Sequence, residues 1–517
     1  MTPIWKRKER DCINDYCFSS NGDGVRRILL IANHDAFGRQ MARWAILINK
    51  HSGWEPIIYI SYDYINRHMD LCRADGIRIM GPLHGEATTG HGDSTSSTSG
   101  ASCWTIPKAI LRRLSFLQMI SRKYHYSLSL LKFPLIMKSM KRNLNTIRTL
   151  LKNERIDVAM ICESSPAYEA PLFIAAANME GIPIATAPIE KSTARHYAEN
   201  YLYDPSMSMK RLCNKLIGKL YPRWTISHRG YSMLRVQPEL LMSLELLEIA
   251  PLKPWELVGN QEDIVAVDSQ STFNHFAKEG VAPEQMAIVG RAEYDIMANI
   301  KTDAKRLKSE LYERLGFENN YPMILSPLVP DHYISGRPEC DFQDYQKLVE
   351  FWVRSLGKIK GHNAVISLHP GQTYQKKADA WDYIEQWGVK ISRDDLPTLI
   401  PLCDIYVATG YSTTVQWAIA CGKPVVNYDV YRYGLTIYRS FSGVLDVQEQ
   451  RDFLEALERL SSDSDYYSKI AAYQQEDAEQ WGKLDGRATD RLIDMFDQLI
   501  SRKIGKSGQR KLMTQRQ

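Results

Sequence analysis

The 517-residue chain is 44% hydrophobic and 24% charged, which is an ordinary globular composition. No apolar run is long enough to span a bilayer, and no apolar stretch of a secretory signal follows the charged N-terminus. The nine cysteines are scattered and form no C-x-x-C pair, which argues against a zinc site or a disulfide framework. These features predict a cytoplasmic protein with reduced thiols and two or three domains.

The net charge of +5 hides two strongly basic segments. Eleven Lys or Arg residues and no Asp or Glu lie between Trp104 and Lys152, and the tail from Arg502 to Gln517 adds six more basic residues and no acid. Subtracting eleven and six from +5 leaves −12 for the rest of the chain. Because local charge is what binds anionic surfaces, both segments are candidate contacts for an anionic partner.

Apolar runs alternate with helical patterns in the first part of the chain, after a polar lead-in over residues 1–24. The run RRILLIAN predicts a strand, and EPIIYISYD and GIRIMGP predict two more. Between the first two strands, apolar residues recur with a helical period at Ala36, Met41, Ala45 and Ile48. Strand, helix and strand in this order predict a doubly wound α/β unit.

Residues 85–135 interrupt this pattern with a Gly/Ser/Thr-rich loop and a basic helical insertion. Within the insertion, Trp104–Pro134 interleaves apolar residues with Lys and Arg, as membrane-surface helices do. An inserted helical subdomain with a solvated basic face explains the same pattern equally well. The apolar residues are Trp104, Ile110, Leu114, Phe116, Leu117 and Ile120.

The α/β pattern resumes after the insertion. One helical face carries Met137, Met140, Leu144, Ile147 and Leu151, and it runs into the strand IDVAMICE, so a sheet-packing helix is predicted. Three further strands, in IPIATAPIE, EDIVAVDS and QMAIVG, give six or seven before Asp295. A second α/β series begins at Tyr321, with five strands in YPMILSPL, NAVISLHPG, VKISR, CDIYVATG and PVVNYD.

We therefore expect two α/β domains with a boundary near residues 296–320. The N-terminal domain covers 25–300, the C-terminal domain covers 318–500, and a basic tail covers 501–517.

Polar residues follow two strands of the second domain, where ligands of open α/β sheets bind. His369-Pro370-Gly371 follows NAVISL. Thr409-Gly410-Tyr411-Ser412-Thr413, and then Thr414, follow CDIYVA. A histidine, backbone N–H groups and hydroxyls can together hold a phosphate group. A structural histidine and a helix cap are the alternatives for each piece alone.

The strand ends of the first domain carry carboxylates instead. Asn33-His34-Asp35, Glu163-Ser164-Ser165 and Glu190-Lys191-Ser192 each follow a predicted strand. Asp35, Glu163 and Glu190 are candidates for a general base, whereas helix caps and solvated turns are the structural alternative. Two facing domains of this kind define a cleft in which a sugar can be transferred.

At these residues the chain resembles the GT-B glycosyltransferases, and within them the branch of UDP-N-acetylglucosamine 2-epimerases, CDP-glycerol glycerophosphotransferases and bacterial capsule polysaccharide transferases. The resemblance rests on the stretch from IDVAMICESSP to IPIATAPIE, on GVAPEQMAIVGRAEYDIM, and on SLHPG with LPTLIPLCDIYVATGYSTTVQWAIACGKPVV. It covers about half of the chain, roughly residues 155–195 and 262–430. It implies a GT-B-like α/β fold with two facing Rossmann-type, doubly wound domains.

The resemblance also implies a nucleotide-linked donor, bound mainly by the second domain. His369 matches an HP motif that contacts phosphate, and Ser412 and Thr413 match the paired hydroxyls that hold it. Glu190 stands where 2-epimerases carry an acid. Many UDP-sugar members place a ribose-binding carboxylate in the following helix, whereas this chain has Trp417 near that place, which leaves CMP- and CDP-linked donors open.

The main hypothesis is a glycosyltransferase that moves a sugar from a CMP-, CDP- or UDP-linked donor to a cell-surface polysaccharide or a lipid-linked glycan. His369 would act on the leaving phosphate, and the base would be Glu190, then Glu163, then Asp35. The alternatives are a hydrolysing 2-epimerase, a CDP-alcohol phosphotransferase, or a two-domain binding protein without activity. The sequence predicts no cofactor, no metal, since no D-x-D motif is clear, and no nucleic-acid partner. It places the protein in the cytoplasm, with an anionic membrane surface as a partner of residues 104–134.

Overall fold

The computed structural model divides the chain into two compact units. The first unit contains the described residues within Ser20–Val267, His275–Ala287 and Leu492–Gln517, and the second contains Asp268–Asn274 and Ile288–Arg491. The structure describes residues 25–32, 35–51, 53–60, 67–81, 132–166, 169–189, 191, 193–202, 204–331, 340–368, 384–410, 412–434, 437–438 and 443–514. The lead-in over 1–24 and the insertion as far as residue 131 lie outside these residues.

The first unit is built on a seven-stranded sheet with the strand order β3-β2-β1-β4-β5-β8-β9. The pairs from β3 through to β8 are parallel. The strands are β1 (Arg26–Ala32), β2 (Trp54–Ile60), β3 (Arg78–Met80), β4 (Val158–Ile161), β5 (Ile184–Thr186), β8 (Ile264–Val267) and β9 (Met286–Ile288). Strands of a parallel sheet are buried on both faces, which explains why the apolar runs of β1 and β4 are continuous.

The helices of the first unit confirm the predicted sheet-packing patterns. Met41, Ala45 and Ile48 are buried in the first helix. Met140, Leu144, Ile147 and Leu151 of the third helix lie in one core with the apolar residues of the fourth. The helices are α1 (Asp35–Ile48), α2 (Arg67–Ala74), α3 (Phe133–Asn153), α4 (Ala170–Glu180), α5 (Ala194–Tyr201), α6 (Leu212–Leu220) and α7 (Pro238–Leu246), and α8 (Gln270–Lys278) crosses the division between the units.

The second unit repeats the plan with a six-stranded parallel sheet, in the order β12-β11-β10-β13-β14-β15. Its strands are β10 (Met323–Pro327), β11 (Asn363–Ser367), β12 (Lys390–Ser392), β13 (Ile405–Thr409), β14 (Val425–Tyr428) and β15 (Val444–Val447). Its helices are α9 (Ala292–Lys301), α10 (Ala304–Leu315), α11 (Tyr345–Gly357), α12 (Leu396–Leu399), α13 (Thr414–Ala420), α14 (Gln450–Ser462) and α15 (Ser464–Trp481), and α16 (Ala488–Thr514) begins here and continues into the first unit.

Three elements differ from the sequence prediction. The second sheet has a sixth strand, β15, which was missed because this edge strand is mostly half-buried and lacks a strong apolar run. A hairpin of β6 (Thr225–His228) and β7 (Tyr231–Leu234) was also missed; its turn residues, Arg229 and Gly230, both have positive φ. The sequence DLPTLIPLC (395–403) predicts a helix, but it forms a single turn of α-helix followed by a 3-10 turn, because Pro401 has no N–H to continue the helix.

The division between the units falls at residues 267–288, earlier than the predicted boundary at 296–320, and it returns residues from Leu492 onward to the first unit. The tail therefore begins as the later part of α16, where Lys503 Nζ lies 2.8 Å from Asp263 Oδ2. Among the described residues, none of the helices combines the length and the hydropathy that crossing a bilayer requires.

Candidate functional site

Both sheets reverse their strand order at the same place. When the strands of each sheet are counted in chain order, the fourth strand lies beside the first, so β4 pairs with β1 and β13 pairs with β10. In such sheets, ligands bind beyond the carboxyl ends of the strands at this point. The loops after β4 and after β13 therefore lie at the positions where ligands bind in folds of this type.

The loop after β13 carries the predicted hydroxyl cluster. Thr409 is buried and its carbonyl accepts a hydrogen bond from the Ser412 N–H at 2.8 Å. The Thr414 hydroxyl lies 2.7 Å from Ser412 Oγ and 2.5 Å from the Tyr406 hydroxyl. These contacts fix Ser412 and Thr414 as half-buried groups, whereas Thr413 is exposed.

The hydroxyls do not cap the helix that follows them. Thr413 is the N-cap residue of α13, yet its side chain accepts no capping hydrogen bond from the helix backbone. Ser412 Oγ bonds to another hydroxyl rather than to the helix backbone. The structure therefore does not support the explanation that this cluster is a helix cap. The dipole of α13 alone does not make an anion site, because the helix is only seven residues long.

Gly410 is required by the close approach of the next strand end. A Cβ built on Gly410 would lie 2.6 Å from Asp429 Cβ and 2.7 Å from Asp429 Cα, so a side chain there must displace the backbone. Asp429 in turn accepts hydrogen bonds from the N–H groups of Tyr433 and Gly434, at 2.9 and 2.7 Å. The hydroxyl loop and the loop after β14 thus pack directly against each other at Gly410 and Asp429.

The other half of the predicted phosphate site lies outside the described residues. His369, Pro370 and Gly371 follow β11, and Tyr411 interrupts the hydroxyl loop; the structure describes none of the four. Their roles stay predictions.

The loop after β4 is polar and fully buried. Glu163, Ser164 and Ser165 have no exposed surface, and the Tyr197 hydroxyl donates to Glu163 Oε2 at 3.2 Å. Arg235 Nη2 donates to Ser165 Oγ at 2.9 Å, and its guanidinium lies 4.5 Å from the centre of the Tyr197 ring. These groups hold the loop together, so neither a solvated turn nor a helix cap describes them.

The side chains of the other two predicted bases, Asp35 and Glu190, lie outside the described residues. Asp35 itself is the first residue of α1, whereas Glu190 lies outside the description altogether.

Glu169, which the sequence analysis did not single out, lies in the same β4–α4 connection. Its carboxylate accepts a hydrogen bond from the Tyr59 hydroxyl at 3.3 Å, near the end of β2. Burial raises the pKa of Glu169 to about 7, and the Tyr59 hydrogen bond, which lowers the pKa, is the smaller effect. A carboxyl group with a pKa near neutrality suits general-base work. The available signal was a second acid six residues after Glu163.

Trp417 does not occupy a ligand-facing position. It is buried in the core of the second unit, with the Arg291 guanidinium 5.7 Å from its ring. The neighbouring Gln416 is also buried, and its amide donates to Asp268 Oδ2. Trp417 is therefore a core residue, and the prediction that this helix lacks a ribose-binding carboxylate, which leaves CMP- and CDP-linked donors open, stays a prediction.

The GRAEYD stretch (290–295) of the family resemblance is a structural clamp. Asp295 accepts hydrogen bonds from the N–H groups of Ala488 and Thr489, at 2.8 and 2.9 Å, and from the Thr489 hydroxyl at 2.7 Å. Gly290 has φ +93°, and a Cβ there would meet Ala488 Cβ at 2.8 Å. The stretch thus fixes the start of α16 against the start of α9.

Comparison with known proteins supports the fold. No protein-family model and no curated protein sequence matches the chain. The structure is similar to that of UGT73P12 from Glycyrrhiza uralensis, complexed with glycyrrhetinic acid 3-O-monoglucuronide, with 12% identity, coverage of 95% of this chain and 99% of that chain, and a TM-score of 0.53.

Two bacterial structures are similar at lower TM-scores. UDP-GlcNAc 2-epimerase from Neisseria meningitidis, bound to UDP-GlcNAc, has 13% identity, 90% and 98% coverage and a TM-score of 0.49. Alr3699/HepE from Anabaena, in complex with UDP-glucose, has 13% identity, 93% and 99% coverage and a TM-score of 0.44. The similarity to UGT73P12 and the strand orders of the two sheets support the same fold. The chain has a GT-B-like α/β fold of two Rossmann-type domains, which confirms the fold class predicted from its sequence.

Proposed function

We propose that the chain is a glycosyltransferase that moves a sugar from a CMP-, CDP- or UDP-linked donor to a cell-surface polysaccharide or lipid-linked glycan. The observation that carries the proposal is the hydroxyl loop. It stands where β13 lies beside β10, and its hydroxyls are not used to cap α13. A GT-B-like fold in which hydroxyls at this point do not cap the following helix supports a site for a nucleotide's phosphates.

The donor's phosphates are proposed to lie against Ser412 and Thr413, with Thr409, Gly410 and Thr414 shaping the loop. The exposed Thr413 hydroxyl donates directly, and the Ser412 hydroxyl can turn from its Thr414 partner toward an anion. Pro370 and Gly371 belong to the same proposed site, beside His369. As the bond from the anomeric carbon to the phosphate oxygen breaks, His369 donates a hydrogen bond to the departing phosphate, where negative charge grows.

The acceptor's proton needs a base. In an inverting transfer, the acceptor hydroxyl oxygen bonds to the anomeric carbon, the nucleotide leaves with the bonding electrons, and a carboxylate takes the hydroxyl proton. Glu190 is the first choice, then Glu163 and Asp35, as the sequence indicates. Glu163 is completely buried in the present arrangement, which weighs against it. Glu169 joins the list because it lies in the loop after β4 and has a pKa near neutrality.

No cofactor or metal is assigned to this reaction. The leaving charge is proposed to fall on hydroxyl, backbone and imidazole donors instead. The described residues hold no group of three or more His, Cys, Asp or Glu side chains arranged to bind a metal ion. The acceptor and an anionic membrane surface remain proposed partners of the basic insertion at 104–134, and the predicted location is the inner face of the cell membrane.

The test follows nucleotide release from UDP-, CMP- and CDP-sugars with and without acceptor glycan. Release that depends on acceptor, together with a product carrying the sugar, supports the transferase. The Ser412→Ala/Thr413→Ala variant should lose donor binding, whereas a control variant with exposed hydroxyls removed elsewhere in the second unit, Thr302→Ala/Ser309→Ala, should not.

Other outcomes would redirect the assignment. Release without acceptor and with an altered sugar would indicate a hydrolysing 2-epimerase. Transfer of a phosphoalcohol from a CDP-alcohol would indicate the phosphotransferase. Neither release nor binding with any donor would overturn the proposal in favour of a protein without activity.

A further inference from the structure

Helix α6 (Leu212–Leu220) exposes a stripe of leucines to solvent. Leu212, Leu216 and Leu220 are 78%, 64% and 70% exposed. Their spacing of four residues places them along one face of the helix. Scattered exposed apolar residues are normal on a protein surface, but three leucines in one line on a nine-residue helix are not explained by packing.

The opposite face anchors the helix firmly, so the stripe is held in place. Asn214 is buried, and its amide donates to the carbonyls of Ser206 and Ser208, both at 2.9 Å. Gly218 is pressed against its neighbours: a Cβ there would lie 2.6 Å from Met209 Cε and 2.8 Å from Thr225 Cγ2. The leucines therefore cannot turn inward without unfolding this region.

Lysines flank the leucine stripe. Lys215 and Lys219 lie beside it on the helix, and Lys210 precedes the helix; all three are exposed. None of the three forms an ion pair with a described residue of the chain. From residue 205 to residue 238 the sequence contains seven Lys or Arg residues and no Asp or Glu. The surface is thus positive and apolar together.

We propose that this face of α6 docks on an anionic lipid bilayer. The helix would lie in the plane of the membrane, with Leu212, Leu216 and Leu220 in the headgroup boundary and the lysines on the lipid phosphates. An acidic protein surface would satisfy the lysines but would leave the leucines in contact with polar groups. A bilayer interface provides anionic charge and an apolar phase a few ångströms apart, which matches the arrangement on this helix.

This site is separate in the chain from the basic insertion at 104–134, and it does not depend on the proposed transfer reaction. Vesicle binding can be measured without donor or acceptor. An inactive enzyme that still binds vesicles through α6 would leave the inference standing.

The test is sedimentation of the full chain with phosphatidylcholine vesicles, with and without phosphatidylglycerol, at low and high salt. Leu212→Gln/Leu216→Gln/Leu220→Gln should weaken binding to the anionic vesicles by about 100-fold or more, since each leucine buried is worth roughly tenfold. Lys210→Gln/Lys215→Gln/Lys219→Gln should weaken it by about 100-fold at low salt and much less at high salt. The control Leu246→Gln/Leu252→Gln removes two leucines that are each 57% exposed elsewhere, and it should bind as the parent does.

Three results would overturn the inference. The first is a leucine variant that sediments with vesicles as the parent does. The second is a concentration-dependent dimer of the free protein that the leucine variant abolishes, because a second copy would then cover the stripe. The third is loss of vesicle binding in Arg112→Gln/Arg113→Gln/Arg122→Gln/Lys123→Gln with full binding in the leucine variant. Thermal denaturation of each variant without vesicles checks that the fold is intact.

Discussion

Replacing Glu169 by glutamine should stabilise the protein, and the gain should depend on pH in a defined direction. Burial raises the pKa of this carboxyl from 4.5 to about 7. Between these two values the folded protein holds a proton that the unfolded chain has lost, so the free energy of unfolding falls as pH rises from about 4.5 to about 7. Above pH 7 both states are ionised, and the folded state carries the cost of a half-buried carboxylate.

The size of the effect follows from that difference. At about 1.4 kcal/mol for each pKa unit, the ionised Glu169 costs the folded state about 3 kcal/mol at pH 8. A glutamine side chain has the same shape, has no charge, and keeps an oxygen that can accept the Tyr59 hydrogen bond. Glu169→Gln should therefore raise the free energy of unfolding by about 2–3 kcal/mol at pH 8 and by almost nothing below pH 4.5.

Urea denaturation of parent and variant at several pH values between 4.5 and 8.5 measures this directly. Glu284→Gln, at an exposed site, is the matched control and should show no such trend. A stability difference between Glu169→Gln and the parent that is the same at pH 5 and pH 8 would show that the pKa of Glu169 is not raised in the folded protein. Tyr59→Phe should leave the trend in place, because burial is the larger cause of the raised pKa.

Four further predictions concern the proposed site and the Asp295 clamp. Ser412→Ala with Thr413→Ala should weaken nucleotide binding measured by calorimetry, at about 1.5–3 kcal/mol for each lost hydrogen bond to phosphate; unchanged affinity would remove the loop from the site. His369→Ala should lower turnover by about 100-fold or more in a folded protein, and normal turnover would end its role. Glu190→Gln should abolish the rise of the transfer rate with pH, so an unaltered pH profile excludes Glu190 as the base. Asp295→Ala should destabilise the protein by about 2–4 kcal/mol in urea, because three buried donors lose their acceptor; a loss below about 1 kcal/mol would mean that the start of α16 does not depend on it.

Most strands of both sheets were predictable because a strand that is buried on both faces consists of consecutive apolar residues. β1 and β13 are of this kind, and each was expected close to where it lies. β15 and the β6–β7 hairpin were missed for the opposite reason, since partly exposed strands carry mixed residues. The strand order, which locates the site, could not be read from periodicity, because it depends on contacts between distant segments.

The sequence predicts where the candidate site residues lie relative to the strands, but not whether their side chains are buried or exposed. The sequence places Ser412 and Glu163 after strands, and both loops do lie at the strand-order reversals. What the sequence could not tell is whether such groups are exposed. Glu169 shows the same limit, because its raised pKa arises from burial and is opposed by a hydrogen bond from Tyr59, a residue 110 positions earlier in the chain.

The loops after β4 and after β13 differ in how their polar side chains are hydrogen-bonded. After β4, the polar groups bind one another: Ser164 Oγ donates to the Leu257 carbonyl at 2.8 Å and receives the Asn260 amide at 2.8 Å. After β13, the exposed Thr413 hydroxyl is not used by the backbone of its own helix. A ligand phosphate gains most from donors that need no rearrangement, because breaking a buried hydrogen bond costs about as much as the new one returns. This contrast supports the proposal that the phosphates bind to the second unit through Thr413, while a carboxylate of the first unit, Glu169 or Glu190, is proposed as the base.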